Sequence, residues 1–328
     1  MKTDNSITRS CAAALLFAAV VPVSFAQTPW PNQQIRIICA FPAGGGTDLT
    51  SRLLAGELQK ILGQTVTVEN RAGASGMIGT DAVAKSKPDG YTLLVASGEM
   101  ALNPHLYPKI AYDWDKELQP ITRLVSVANV MAVNMDVPAK NVGEFIAYAK
   151  QNPDKLTFSS SGVGNPQQLT GELFNKLAGV QVRHVPYKGA APQLAALAGK
   201  EVHMTFVSIG AAKPFIDSQR IRPIGVTSLT RVGALPEVPA IAEHPPLAGF
   251  ELINFFGFFG PAGMPDPVLK RLNAAAIQVM QMPDLVAKFK GLGFEPSPNA
   301  PEQFRQFIRG ESTKFAKIIV EAGVKLSE

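Results

Sequence analysis

The apolar run "IRIICAF" (35–41) stops at Pro42 and Ala43, meets three consecutive glycines, and resumes as "TDLTSRLLAGELQKIL" (47–62) with leucines at helical spacing. A strand passed through a glycine loop into a helix leaves both elements needing a partner for their apolar faces. The next segments supply it. "TVTVEN" (65–70) reads as a strand, "MIGTDAVAKS" (77–86) as a helix stopped at the turn "KPDG", and "YTLLVAS" (91–97) as a strand. This βαβαβ order implies parallel strands joined by right-handed crossovers.

The rhythm returns further along. "VGEFIAYAKQN" is helical, "LTFSSS" a strand and "NPQQLTGELFNKLA" a helix; "QVRHVPY" is then a strand, "APQLAALAG" a helix and "EVHMTFVS" a strand. Two long apolar stretches, "VSVANVMAVN" (125–134) and "ELINFFGFFGP" (251–261), bracket this second set and read as crossings between lobes. Amphipathic helices between Pro265 and Gly323 are expected to pack back onto the first lobe. The expected organisation is α/β: a leader over 1–26, a first lobe built from 27–128 and 252–328, a second lobe over 129–251, and a double-stranded hinge. With 46% apolar and 17% charged residues and no low-complexity linker, the chain has material for two packed lobes.

Residues 1–26 carry Lys2 and Arg9, then "CAAALLFAAVVPV", then "SFA" before Gln27. This is the charged, apolar and small-residue order of an export signal, cleaved after Ala26, and it places the mature chain in the periplasm. Losing it removes Lys2, Arg9 and Asp4 and leaves a net charge of +4. The basic residues are scattered, which argues against nucleic acid as a partner. Cys39 is the one cysteine left; it cannot form an internal disulfide and lies in an apolar run, as a buried inert thiol would.

At the glycine loop, Gly44, Gly45 and Gly46 let a ligand approach the backbone, and Thr47 or Asp48 could cap the helix. Free amides and the helix dipole together make an anion site. The spacing fits neither a nucleotide loop, which needs Lys after the glycines, nor a dinucleotide fingerprint. A bare turn without a ligand fits equally well. A second break of the same kind, "LTFSSSGVGNPQQLTGELF" (156–174), favours binding: Ser160 and Ser161 supply hydroxyls, Gly162 and Gly164 free the backbone, and Asn165 begins the helix. Ligands of open α/β sheets sit beyond the carboxyl ends of the strands. Two such loops are expected to grip one small carboxylate from opposite sides, each helix start offering its amides.

The stretches "FPAGGGTDLTSRLLAGELQKILGQTVTVENRAGASGMIGTDAVAKSKPDGYTLL", "SSSGVGNPQQLTGELF", "VPYKGAAPQLAALAGKEVHMTF" and "RPIGVTSLTRVGALPEVPAIAE" resemble the tripartite tricarboxylate transporter receptors, also called Bug proteins. The resemblance runs over about residues 30–325. It implies a two-lobed, periplasmic-binding-protein-like fold (type II, closing like a Venus flytrap), a monomer, and a solute-binding role for small carboxylates delivered to membrane permease subunits. It carries ligand contacts to Phe41, Pro42, Ala43, Gly44, Gly45, Gly46, Thr47 and Asp48, and to Ser160, Ser161, Gly162, Gly164 and Asn165. It also points to Ser97 through Met100, to His184 and Tyr187 within the stretch ending at Lys188, and to Ser208 within Phe206–Gly210.

The chain departs from the family at "SGEMALNP", where Glu99 stands in place of small hydroxyl residues. Facing a cleft, Glu99 would repel a second carboxylate and favour a ligand with a donor-bearing or aromatic far end; alternatively it is a solvated rim glutamate. Tyr187 either stacks on the ligand or covers an edge, and Arg220, Arg222 and Arg231 read as a solvated basic edge. His105, His184, His203 and His244 lack metal-ligand spacing, and no metal or cofactor is expected. No nucleophile elbow or zinc-hydrolase motif is present, and Asp48 has no legible partner for acid–base work, so no catalytic residue is assigned. Two rivals remain: a sensory binding protein presenting its liganded form to a membrane receptor, and an enzyme acting on small carboxylates.

Overall fold

In the computed structural model residues 29–322 are described, so the leader read over 1–26 lies outside the described residues. β1 (Ile35–Cys39) passes through the glycine loop into α1 (Gly46–Leu62), followed by β2 (Val66–Asn70), α2 (Met77–Ala84) and β3 (Thr92–Ser97). β2 and β3 both run parallel to β1, with Ile37 between Val68 and Leu93. β1 does not alternate. Ile35, Ile37, Ile38 and Cys39 are all buried, because a central parallel strand is covered on both faces.

Two short helices come next, α3 (Glu99–Leu106) and α4 (Trp114–Glu117), and neither was legible from periodicity. α3 carries Pro104 in its last turns, which masks its helical character in the sequence. β4 (Leu118–Val127) then leads through Ala128 alone into β5 (Asn129–Asn134). The second set comprises α5 (Val142–Gln151), β6 (Thr157–Ser160), α6 (Pro166–Ala178), β7 (Arg183–Pro186) and α7 (Ala190–Ala198). β8 (Met204–Ser208), α8 (Ile209–Asp217) and β9 (Ile221–Val226) complete it. The chain returns along β10 (Asn254–Pro261) and ends with α9 (Asp266–Met280), α10 (Pro283–Gly291), β11 (Phe294–Pro296) and α11 (Pro301–Ala322).

The strands form two sheets, ordered β11-β4-β10-β3-β1-β2 and β7-β6-β8-β5-β9. Both follow one plan. A parallel trio (β2-β1-β3, then β7-β6-β8) is flanked by an antiparallel strand that belongs to a crossing, β10 in one sheet and β5 in the other. The crossings lie side by side: Asn129 N donates to Thr227 Oγ1 (2.9 Å), Thr227 N donates to Asn129 O (2.9 Å), and Leu252 N donates to Thr227 O (3.1 Å).

The phenylalanines of "FFGFF" are core. Phe304 of α11 stacks edge-on to Phe255 (5.8 Å between ring centroids) and lies 5.1 Å from Phe259. α11 covers more than the first sheet. Phe315 and Ile318 share a buried cluster with Phe174 of α6, and Lys176 Nζ donates to the Glu321 carbonyl at 2.8 Å. The terminal helix therefore packs against elements of both sheets, which its amphipathic pattern alone did not indicate. Truncation of Phe304 to alanine is expected to destabilise the protein by about 3–5 kcal/mol through cavity formation, read by denaturant unfolding. Val320→Ala on the same helix, at an 81% exposed position, should stay within about 0.5 kcal/mol of the parent.

Candidate functional site

The carboxyl ends of β1, β2 and β3 carry three consecutive loops. In the first, Ala43, Gly44 and Gly45 are exposed, and Gly45 is the N-cap of α1 with no side chain capping the helix. Asp48 does not fill that place. Gly44, at φ 83°, directs its amide at Asp48 Oδ2 (2.9 Å), Arg52 Nε donates to the same oxygen (3.0 Å), and Asn70 Nδ2 donates to Oδ1 (2.8 Å). Burial pushes the Asp48 pKa up, but Arg52, the Gly44 amide and Asn70 outweigh it and hold the carboxyl below its usual range. Asp48 is thus an ionised brace for the loop, and no side chain caps the first turn of α1. Gly46 has a different duty: a Cβ there would lie 2.9 Å from Phe294 and 3.1 Å from Phe256. Phe41 is half-buried over Gly76, and its carbonyl accepts from Asn70 Nδ2 at 3.0 Å.

In the second loop, Ala74 (φ 48°) and Ser75 (φ 51°) are consecutive left-handed residues without being glycine. Such backbone persists only where its surroundings hold it. Asn103 Nδ2 donates to the Ser75 carbonyl (3.1 Å), and Ser75 Oγ meets the Tyr107 hydroxyl (3.3 Å). The third loop joins β3 to α3. Ser97 is buried and its hydroxyl donates to the Glu99 carboxylate. Asn254 Oδ1 accepts from Gly98 N (3.0 Å) and Phe255 N (2.8 Å), and its amide also bonds Glu99. Burial, against these weaker opposing hydrogen bonds, pushes the Glu99 pKa up to about 7. Glu99 is therefore a half-buried carboxyl, bonded to Ser97 and Asn254 and near its titration midpoint at neutral pH. Asn254, at the start of an apolar crossing, escaped the sequence reading; a polar residue heading "NFFGFF" was the available signal.

The second sheet is built differently. Asn165 Oδ1 caps α6 by accepting from Gln168 N (2.9 Å), and Pro166 has no amide hydrogen to offer. Ser161 N donates to Gln167 Oε1 (2.8 Å), Gly164 N to Gln168 Oε1 (2.8 Å), and Gly162 N to Ser160 Oγ (3.3 Å). The expectation of two matching open helix starts fails here. The protein's own side chains answer the amides of this loop, because a Gln-Gln pair follows the proline. Ser160 sends its proton to Gly162 O (2.6 Å), so its oxygen accepts from His184 Nε2 (2.7 Å). His184 also packs on Phe158, 4.9 Å between ring centroids, and burial pushes its pKa down to about 4. The Tyr187 hydroxyl donates to Glu201 (3.5 Å), down the outer edge of the sheet, and Lys188 is exposed. Ser208 is the N-cap of α8, which no side chain caps. The basic edge is engaged within the chain: Arg222 donates to the Val137 and Ala139 carbonyls, Arg231 pairs with Glu243 (2.8 Å), and Arg220 covers Phe215.

One path of close packing links the uncapped start of α1 to that of α8. Gly46 abuts Phe294, and a Cβ on the neighbouring Gly293 would lie 2.6 Å from Ile209 Cβ. Gly293 has φ 73°, so both its backbone and its surroundings demand glycine. α1 and α8 both begin without a side-chain cap, as do α2, α3 and α7, whereas α6 is capped by Asn165.

The model of the family described as "Tripartite tricarboxylate transporter family receptor" matches residues 50–324. The chain belongs to this receptor family. Protein BugT of Bordetella pertussis (strain Tohama I) is 33% identical over 327 residues, covering 98% of this chain and 99% of BugT. Among solved structures, R. palustris Rpa4515 with adipate superposes with a TM-score of 0.85 at 33% identity, covering 90% of this chain and 99% of that one. MatC from Rhodopseudomonas palustris with bound malate gives 0.79 at 29% identity, covering 88% and 99%. The fold is the two-lobed α/β architecture of periplasmic binding proteins. The receptor is a solute-binding protein of an extracytoplasmic class and not an enzyme, in keeping with Asp48, whose two oxygens are taken by its own loop and helix. Among the described residues no helix is long and apolar enough to cross a membrane.

The two neighbouring glycines of the receptor should behave oppositely. Gly45→Val meets only the Pro42 carbonyl at 3.5 Å and should leave the melting midpoint in place, whereas Gly46→Ala should cost about 1–3 kcal/mol by overpacking Phe294. Titration gives a second test. The folded protein keeps the Glu99 proton up to about 7 against an ordinary value of 4.5, so stability falls as pH rises through that window. His184 stays neutral down to about 4 against 6.5, so stability falls as pH drops through that one. In melting curves across pH, Glu99→Gln should gain on the parent as pH rises, and His184→Gln should gain as pH falls.

Proposed function

We propose that this receptor captures a small carboxylate between its two lobes and hands it to the permease subunits of a tripartite tricarboxylate-type transporter. The observation that carries the reading is the open start of α1, where exposed glycine backbone meets a helix end that no side chain caps. Asp48 would otherwise repel an anion there, but Arg52 and Asn70 already bind it. Solved relatives holding adipate and malate support a carboxylate ligand. The lobes are taken as 27–128 with 252–328, and 129–251, with export after removal of residues 1–26.

Closure follows from differential contact. A ligand touching one lobe alone leaves the open–closed equilibrium where it was; one touching both favours the closed form. Ligand-side groups on the first lobe are Phe41 through Thr47, Ser97 and Glu99, and on the second lobe the Ser161 hydroxyl and Ser208. Near pH 7 Glu99 has access to both protonation states. Protonated, it donates to a second carboxylate; ionised, it accepts from a hydroxyl or amine. Diacids therefore belong in the ligand class, together with acids bearing a donor at the far end.

Melting midpoints measured with adipate, malate, succinate, glutamate and nicotinate test the reading. A bound acid at a hundredfold excess over its Kd should add about 2.7 kcal/mol, and diacids should bind more tightly at about pH 6 than at about pH 8 as Glu99 loses its proton. Native mass spectrometry of the exported protein should show a monomer beginning at Gln27 with a small acid retained. A midpoint unmoved by every acid, with no acid in the spectrum, overturns the proposal.

A further inference from the structure

Asn129 stands where β4 leaves the first sheet and enters the second. Its backbone is fully engaged, the amide on Thr227 Oγ1 and the carbonyl on Thr227 N, both at 2.9 Å. Its side chain is not. The residue is 3% exposed, and Nδ2 has no hydrogen-bond partner among the described residues. A buried donor left unanswered is costly, and folded proteins rarely tolerate one without a use for it.

The surroundings of that donor indicate the use. Asn129 pairs directly with Ser208 in the antiparallel ladder between β5 and β8. Residues directly opposite in such a ladder project their side chains from the same face. Ser208 is half-buried, its hydroxyl meets no protein partner among the described residues, and it begins α8, whose first turn no side chain caps. The next residues of α8 lie against the first sheet's segment: a Cβ on Gly210 would sit 2.8 Å from the Leu292 carbonyl, and Ile209 meets Gly293. From Gly293 the packing passes through Phe294 to Gly46 at the open start of α1. The orphan amide thus lies on the seam that joins the uncapped starts of α1 and α8.

We propose that Asn129 contacts the ligand, its side-chain amide donating, with the Ser208 hydroxyl and the first-turn amides of α8, to a carboxylate oxygen held on the second-lobe side of the cleft. The assignment rests on the carboxylate-capture reading above and deepens it. It replaces the capped start of α6 with that of α8 as the partner of the α1 loop. It also assigns the ligand an acceptor oxygen at the hinge.

Asn129→Leu keeps size and backbone bonding while deleting the donors. Its ligand-free melting midpoint should equal or exceed the parent's, since an unanswered polar group disappears. Affinity for adipate or malate, whichever stabilises the parent, should fall by about ten- to a hundredfold, the worth of one hydrogen bond to a charged group. Asn129→Asp, nearly isosteric, replaces donors with anionic acceptors and should bind more weakly still. In the parent protein, the Asn129 side-chain amide resonance in a 15N–1H spectrum, assigned by its loss in Asn129→Asp, should move when that acid is added. Unchanged affinity in Asn129→Leu, or an unmoved resonance in a parent that the acid stabilises, overturns this assignment alone. A parent stabilised by no acid overturns the capture reading and this assignment with it.

Discussion

The structure depends on a single backbone seam. Asn129 and Thr227 exchange hydrogen bonds of 2.9 Å, and Leu252 adds its own amide to the Thr227 carbonyl at 3.1 Å. The two passages of the chain between the sheets, β4 to β5 and β9 to β10, are thereby fastened to each other, the second at both of its ends. β4 and β5 are separated by Ala128 alone, so relative movement of the sheets must be absorbed by a few φ and ψ angles at this place. That is the geometry a two-lobed receptor needs.

The two sheets share a plan yet differ in how they treat their helix starts. In the first, Asp48 turns back to hold Gly44 and is itself neutralised by Arg52, and no side chain caps the start of α1. In the second, Gln167, Ser160 and Gln168 accept from the amides of Ser161, Gly162 and Gly164, and Asn165 caps α6 by accepting from Gln168 N. The capped loop gains rigidity at the expense of its capacity to bind an anion through the backbone. The open role in that half passes to α8, whose cap residue is Ser208.

Polar groups near the seam are stabilised less than they could be. Glu99, half-buried and bonded to Ser97 and Asn254, keeps its proton to about pH 7, and the Asn129 amide has no acceptor among the described residues. Each lowers the stability of the ligand-free protein. Binding sites are where natural proteins retain such local costs, since a fully satisfied cluster has nothing left to offer a ligand. The phenylalanines around Phe304, together with α11 spanning elements of both sheets, contribute the apolar packing that offsets them.

Much of this was legible in the linear chain. Apolar runs broken by glycine or serine loops revealed both βαβαβ units, and "VSVANVMAVN" and "ELINFFGFFGP" marked the crossings, because strand burial and turn chemistry act over a few neighbouring residues. The motif sequence also pointed to the family, and the family model agrees. Other features depend on residues far apart in sequence. α3 hid behind Pro104, and Glu99 reads as either a cleft or a rim charge until Asn254, 155 positions later, arrives to bond it. The engagement of the loop before α6 depends on glutamines folding back onto it, and the orphan state of Asn129 on which strand lies opposite it. Propensity and pattern are short-range and survive in one dimension. Burial, partner choice and the protonation state of a carboxyl follow from which distant groups arrive beside it, and only the assembled tertiary structure decides that.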